Sequence, residues 1–302
     1  MRKVPEIEKA VKYLAEEVPR WSRENHCFSC HNNGDAARAL FEARRRGFAV
    51  PDPALADTLM FLSHPDRWDK NGVDAAFSDK RLARLQFSVA LSSGIDTAVI
   101  ADRSLLEVAT RQLIKDQAAD GSWPIDDEAL IGSPATYGKP LATALAIRVL
   151  TASDRQRFAE PIRRASQWLR TRPIRNVLDA CAALTLDDIA PGSRLDPKLR
   201  DASLELLRRA QCDNGGWGPF TNSSPEVFDT ALVLITLAKR QDQASWKPLL
   251  ERGRAYLISQ QAEDGSWPET TRPSGSESYA QRLSTTGWAT LALILTECAD
   301  PG

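Results

Sequence analysis

What the 302-residue chain lacks narrows the reading first. No apolar run is long enough to cross a bilayer as a helix, and the opening MRKVPEIEKA has no hydrophobic region of the kind a secretory signal needs. Neither sign of charge dominates, with 39 Lys and Arg against 40 Asp and Glu, so there is no electrostatic case for nucleic acid or an anionic membrane surface. The one dense basic run, Arg44-Arg45-Arg46, falls where a helix should end and reads as a solvated cap favoured by the helix dipole. Methionine is nearly missing, Met60 being the only internal one. Of the five cysteines, Cys181, Cys212 and Cys298 are scattered through apolar or turn contexts and form no disulfide framework; they read as small buried hydrophobes. The 42% of hydrophobic residues is ample for a large core.

What is present is a repeat. QAADGSWP, QCDNGGWGP and QAEDGSWP, containing Trp123, Trp217 and Trp267, each read as a helix end followed by a turn. In each, the Asp/Asn-Gly pair permits a left-handed backbone and the tryptophan packs back over the junction. The first interval between tryptophans is nearly twice the second and hides a degenerate repeat. There Ile162, Ala165, Trp168 and Leu169 outline one helix, and Pro173 opens the next through NVLDACAALTL. Upstream, Ile7, Val11, Leu14 and Val18 share a helical face, DAARALFEARRRG continues as a second helix, and PALADTLMFLS and SDKRLARLQFSVALSS form a further pair around a loop with Trp68 and Asn71-Gly72. Six hairpins result. The second helix of most is apolar on nearly every side and must be buried on every side, whereas its partner carries one apolar stripe. An all-α, closed (α/α)6 toroid of six helical hairpins, a single domain over 1–302, buries such an inner ring better than an open solenoid does.

The first hairpin holds Cys27-Phe28-Ser29-Cys30-His31, a C-x-x-C-H sequence. Thioether attachment of haem needs two cysteines a helical turn apart, and the following His31 is placed to supply an axial imidazole. Zinc is an alternative cofactor, although His26 stands directly beside Cys27 and is badly placed as a further ligand; an unmetallated turn is the third reading. For a second axial ligand the sequence offers Met60 or His64, four residues apart on one helical face. Haem c attachment happens outside the cytoplasm, so it requires a removed leader, or a natural start other than Met1, and a periplasmic or otherwise exported protein; without haem the expectation is cytoplasmic.

The Q-x-x-(D/N)-G-x-W turns followed by helices such as FDTALVLITL resemble the QW repeats of the terpenoid cyclase and prenyltransferase toroids, squalene-hopene cyclase above all. The resemblance covers residues 100–300 and extends upstream by the period. The chain is also similar to toroid proteins of this repeat type that carry C-x-S-C-H in the first hairpin. Squalene-hopene cyclases protonate their substrate from a D-x-D-D motif, of which the matching stretch, Glu226 to Ala231, keeps only Asp229. Protein prenyltransferases hold zinc with Asp, Cys and His, and Leu283 to Trp288 offers no such ligand. Neither mechanism transfers with the fold.

Aligned inner helices put Asp35, Asp179 and Asp229 near their amino ends. Asp35 fits a helix-capping role, whereas Asp179 and Asp229 lie past their own start signals and are candidate catalytic carboxylates, since an unpaired charge in an apolar helix is costly. The leading expectation is therefore a c-type haem protein on a cyclase-like toroid, in electron transfer or haem-dependent redox chemistry. Its partner would be a redox protein or a small apolar ligand, and its cofactor residues Cys27, Cys30 and His31. The alternatives are a haem-free isoprenoid-processing cyclase- or transferase-like enzyme using Asp179 or Asp229 as acid, and a binding module with or without a stabilising metal.

Overall fold

The computed structural model describes residues 4–71, 80–125, 131–189, 195–240, 243–272 and 275–297; Gly72 and Cys298 lie outside the described residues. The first outer helix, α1 (Pro5–Asn25), starts on a proline whose fixed φ suits a first helical position. It buries Ile7, Val11, Leu14 and Val18 and leaves its charges outside. Helices α2 (Ala37–Arg45), α3 (Asp52–Leu62), α4 (Lys80–Asp96), α5 (Ser104–Leu113) and α6 (Gly138–Asp154) follow. Then come α7 (Ala159–Thr171), α8 (Val177–Ile189), α9 (Pro197–Ala210), α10 (Val227–Leu237), α11 (Lys247–Ser259) and α12 (Tyr279–Leu295). The even-numbered helices pack on one another in sequence, and α12 packs on α2, so the inner ring closes, with the odd-numbered helices outside. The architecture is the expected all-α toroid. Among the described residues the only β structure is a pair of isolated bridges at Trp217, and no helix is long and apolar enough to cross a membrane.

The repeated turn ties each hairpin to the next. Gln117 Nε2 donates to Gly121 O at 2.9 Å, closing its own turn, and to Pro161 O on α7 at 3.0 Å. Gln211 does the same to Gly215 and to Leu249 on α11, and Gln261 to Gly265 and to Glu6 on α1. The last of these staples the end of the chain to its beginning. Trp123, Trp217 and Trp267 are fully buried. Each indole donates to a carbonyl near the end of the preceding outer helix, Leu113, Leu207 or Leu257, at 2.7 to 3.0 Å. Each tryptophan backbone N–H donates to a threonine hydroxyl on the following inner helix, Thr143, Thr230 or Thr286. The glycines at φ 92 to 96° permit the turn and let its backbone lie against the next outer helix. In the degenerate repeat the Arg172 guanidinium lies over Trp168, 4.5 Å from the ring centroid, a contact local to the end of α7.

Closure at α12 and α2 is tight. A Cβ on Gly287 would stand 2.8 Å from Ala36 Cα and 3.0 Å from Asp35 O, so only glycine allows this approach of backbones. All inner helices start at one rim, and it is there that the polar groups collect.

Candidate active site

The Cys27–His31 turn feeds a single π-helical turn, Cys30–Ala36, which opens into α2. Ser29 Oγ accepts from the backbone N–H groups of His31 and Asn32 at its start, and Asn33 Oδ1 accepts from Ser29 N at 3.1 Å. Asn33 Nδ2 donates to Thr58 Oγ1 and Asn32 Nδ2 to Glu17 O, which fastens the turn to α3 and α1. Asn71 brackets Phe28, accepting from its N–H at 2.8 Å and donating to its carbonyl at 2.6 Å, while the Phe28 ring stacks on Phe61. Wide π turns of this kind frequently mark functional sites. Cys27 and Cys30 are half-buried and not joined in a disulfide.

On this turn Asp35 is 2% exposed and occupies the middle of a polar network drawn from four inner elements. Capping is not its role. Tyr137, at the start of α6, donates its hydroxyl to Oδ1, and Arg38 Nη1 stands 3.4 Å from the same oxygen. Gln86 Nε2, from α4, and Ser284 Oγ, from α12, each reach Oδ2 at 2.9 Å. Ser284 Oγ also lies 3.0 Å from His31 Nδ1. Burial pushes the Asp35 carboxyl up to about 6, against the pull of Arg38 and the hydroxyls of Tyr137 and Ser284. Burial likewise holds His31 down to about 4, so its ring is neutral near pH 7. An ionised carboxylate only accepts, so the single hydroxyl proton of Ser284 goes to Asp35, and Nδ1–H of His31 then donates to Ser284. The result is a chain His31, Ser284, Asp35 with Nε2 of His31 left as an acceptor. Tyr137 holds φ 65°, a left-handed value rare for a side-chain-bearing residue, and such strain concentrates at functional sites.

Asp229, on α10, is fully buried and gripped at both oxygens by Arg272, at 2.8 and 2.9 Å, from the loop that precedes α12. Arg272 also bonds Glu226 and the carbonyl of Gly132. Burial raises Asp229 to about 6 and the Arg272 charge opposes it. An aromatic ladder joins this pair to the Asp35 network: Arg272 over Phe228, Phe228 edge-on to Trp288, Trp288 edge-on to Tyr137 and under Arg38 at 4.7 Å. Asp179 has a local job. Its Oδ2 accepts from Arg175 N at 3.1 Å and its own N–H donates to Asn176 Oδ1, a capping arrangement at the start of α8, and burial raises its carboxyl.

The remaining residues marked by the sequence are placed elsewhere. Met60 is 59% exposed on α3, and the His64 ring folds back 2.9 Å from the Met60 carbonyl, so neither side chain is brought to His31. Cys181 is buried on α8 and Cys212 half-buried in its turn. Gln86, Tyr137, Ser284, Arg38 and Arg272 complete the site and carried no motif. Their only signal was polarity inside helices otherwise apolar all round, and Arg272, in a loop, lacked even that.

No protein-family model and no curated protein matches the sequence. Solved structures do match the fold. The type II terpene cyclase MstE from Scytonema has a TM-score of 0.59 at 13% identity, covering 96% of this chain and 98% of that one. A glycosidase has 0.61 at 10% identity, covering 97% of each chain. The ent-copalyl diphosphate synthase from Streptomyces platensis has 0.56 at 17% identity, covering 88% of this chain and 51% of that one. At such identities the likeness is one of fold. It nonetheless corrects the leading expectation of a c-type haem protein for electron transfer: the toroid's neighbours are cyclases and glycosidases, and the haem-free enzyme alternative fits better. Within the motif His31 is bound through Nδ1 into the Asp35 network, neither Met60 nor His64 is brought to it as a second axial ligand, and no group of three or more His, Cys, Asp and Glu placed to hold a metal ion by themselves occurs among the described residues. The C-x-x-C-H sequence is the anchored turn that sets Asp35 and His31 in place.

Proposed function

We propose that the chain is a haem-free acid-catalysing enzyme of the isoprenoid-processing kind, with Asp35 as the proton donor. The observation that carries this reading is one carboxyl buried in an aromatic-rich ring, raised to about 6, and wired through Ser284 to a half-buried histidine. A buried acid that gives its proton to a carbon–carbon double bond forms a C–H bond and a carbocation, which the next double bond can trap before a final proton is lost. The rings of Trp288 and Phe228 could offer π faces to positive charge developing on carbon, with one face of each already taken by the Arg38 or Arg272 guanidinium. The spent carboxylate would be recharged by a proton taken up at His31 Nε2, with Nδ1–H passing to Ser284 and the Ser284 proton to Asp35. The fold likeness to type II terpene cyclases, one of them solved with geranylgeranyl dihydroxybenzoate as its substrate, supports the substrate class. The glycosidase neighbours offer a second carboxylate chemistry, but Asp229 is ion-paired at both oxygens with Arg272, whereas three of the four groups on Asp35 are neutral.

The test is incubation of the purified chain with squalene, geranylgeraniol and geranylgeranyl diphosphate, followed by chromatographic separation of isomers of unchanged mass. Cyclised isomers are expected, formed faster as pH falls toward 6 and lost in Asp35→Asn with the melting transition retained. Absence of any cyclic product from the wild type, or full activity in Asp35→Asn, would refute the assignment.

A further inference from the structure

A cavity of about 230 Å3 opens where the inner helices end, at the rim opposite the repeated turns. Val89, Val149, Ile235 and Leu291 make one side of it aliphatic, and Arg38, Arg45 and Arg148 bring cations to it. The two carboxylates present do not neutralise these equally. Glu42 is taken up by Arg45 and Arg46, whereas Asp96 only approaches Arg148, at 3.9 Å. Arg38 is 4% exposed, and its Nε has no hydrogen-bond partner. Ser92, 3% exposed and also lining the cavity, has a hydroxyl without a partner. An unsatisfied buried guanidinium N–H and a second cation close by are costly together.

Helix ends do not account for these arginines. The carboxyl ends of helices attract cations, but Arg38 is the second residue of α2 and Arg148 lies well inside α6. Arg254 shows what such service looks like, donating to Leu293 O in the last turn of α12 at 2.6 Å.

We propose that this cavity binds a small organic oxyanion, a carboxylate or phosphate group on a short apolar stem. The head lies between the guanidinium groups of Arg38 and Arg148, and the stem lies against Val149 and Leu291. An oxyanion there offsets the repulsion between the two arginines and gives Arg148, whose carboxylate neighbour Asp96 stands at 3.9 Å, a closer partner. The volume is below the roughly 300–1,000 Å3 usual for drug-sized ligands, which restricts the stem to a few carbons or sends a longer one out through the mouth. This site shares Arg38 with the Asp35 network but does not depend on whether Asp35 acts as an acid.

Calorimetric titration of the full chain with hexyl phosphate, hexanoate and 1-hexanol tests it. At least one anion is expected to bind tenfold or more tighter than the alcohol, and whichever anion is tighter identifies the head. Arg148→Gln, a change at a half-exposed side chain, should weaken that binding at least tenfold with the melting temperature little changed. Leu295→Trp, which fills the cavity, should abolish it. Binding of the alcohol as tight as that of both anions, no binding of either anion, or an affinity unchanged in both variants would overturn the proposal.

Discussion

Asp35→Asn separates the electrostatics of the buried acid from its shape. The carboxyl's side chain is fully inaccessible, so solvent gives no discount on its shift from 3.8 to about 6. The folded state therefore holds a proton that the unfolded chain has already released between those two values. By linkage the contribution of Asp35 to stability is present below the unfolded pKa and is lost as pH rises through the folded one. A shift of about two units at about 1.4 kcal/mol each makes the loss on the order of 3 kcal/mol. Asparagine is nearly isosteric and can be accommodated: the Gln86 carbonyl oxygen is buried without a partner, so its amide can turn to accept from the new amide nitrogen. Removing the negative charge also deprives Arg38 of its partner, an offset that varies little with pH. The assay is urea unfolding of wild type and variant from pH 4 to 8. The variant should gain on the wild type by about 3 kcal/mol across the window from about 4 to above 6 and stay level beyond it. Asp229 titrates in both proteins and cancels in the difference. Parallel stability curves would show that Asp35 does not titrate as a buried acid, and the proposed chemistry would fall with it.

Other consequences follow from the ties of the ring. Trp217→Ala and Trp267→Ala each remove a fully buried indole and its hydrogen bond to the outer helix, and should cost roughly 3 to 5 kcal/mol in chemical denaturation; near-neutral substitutions at both would show that the turns do not carry the packing. Gln261→Ala removes the donor that reaches Glu6 on α1 and should speed amide exchange in α1 more than in the helices beside Gln117 and Gln211. Uniform exchange in that variant would count against a ring held at this staple.

Much of the fold was open to reading because it is written as a period. Buried helices are apolar on all sides, outer ones on one stripe, and the glutamine–tryptophan turns mark three of the junctions between them. What the turns do was less open. The reach of Gln117 to Pro161 crosses from one hairpin to the next, a relation that a local pattern does not express. The site was read unevenly for the same reason. Asp229 stands out because its helix is otherwise apolar, whereas Asp35, following Asn33-Gly34 near a helix start, has the local pattern of a cap. Its real partners, Gln86, Tyr137 and Ser284, lie 51, 102 and 249 residues away. The C-x-x-C-H spacing is a chemical signature on its own, and its anchoring by Ser29, Asn32, Asn33 and Asn71 depends on contacts that the motif does not express.

The repeats are equivalent in how they are fastened and unequal in what they place on the axis. The π turn before α2, α4, α6 and α12 all contribute to the Asp35 network, while α8 supplies a capped aspartate and α10 an aspartate held by Arg272. Two of those contributions, Ser284 and the close approach at Gly287, exist only when the last hairpin meets the first. An opened ring keeps its helices and most of its local turns, yet it has no proton path from His31 and exposes the carboxyl whose raised pKa depends on burial. The acid is therefore a property of closure and not of any one repeat. A measurement on the ring's seam is thus also a measurement on the site: Gly287→Ala, which forces α12 away from Ala36, should lower the pKa of Asp35 toward 4 and weaken the proposed acid catalysis while leaving helix content by circular dichroism unchanged. A variant that melts at a lower temperature but keeps the wild-type pH profile would mean that the network is built within the first hairpins alone, and that closure serves stability only.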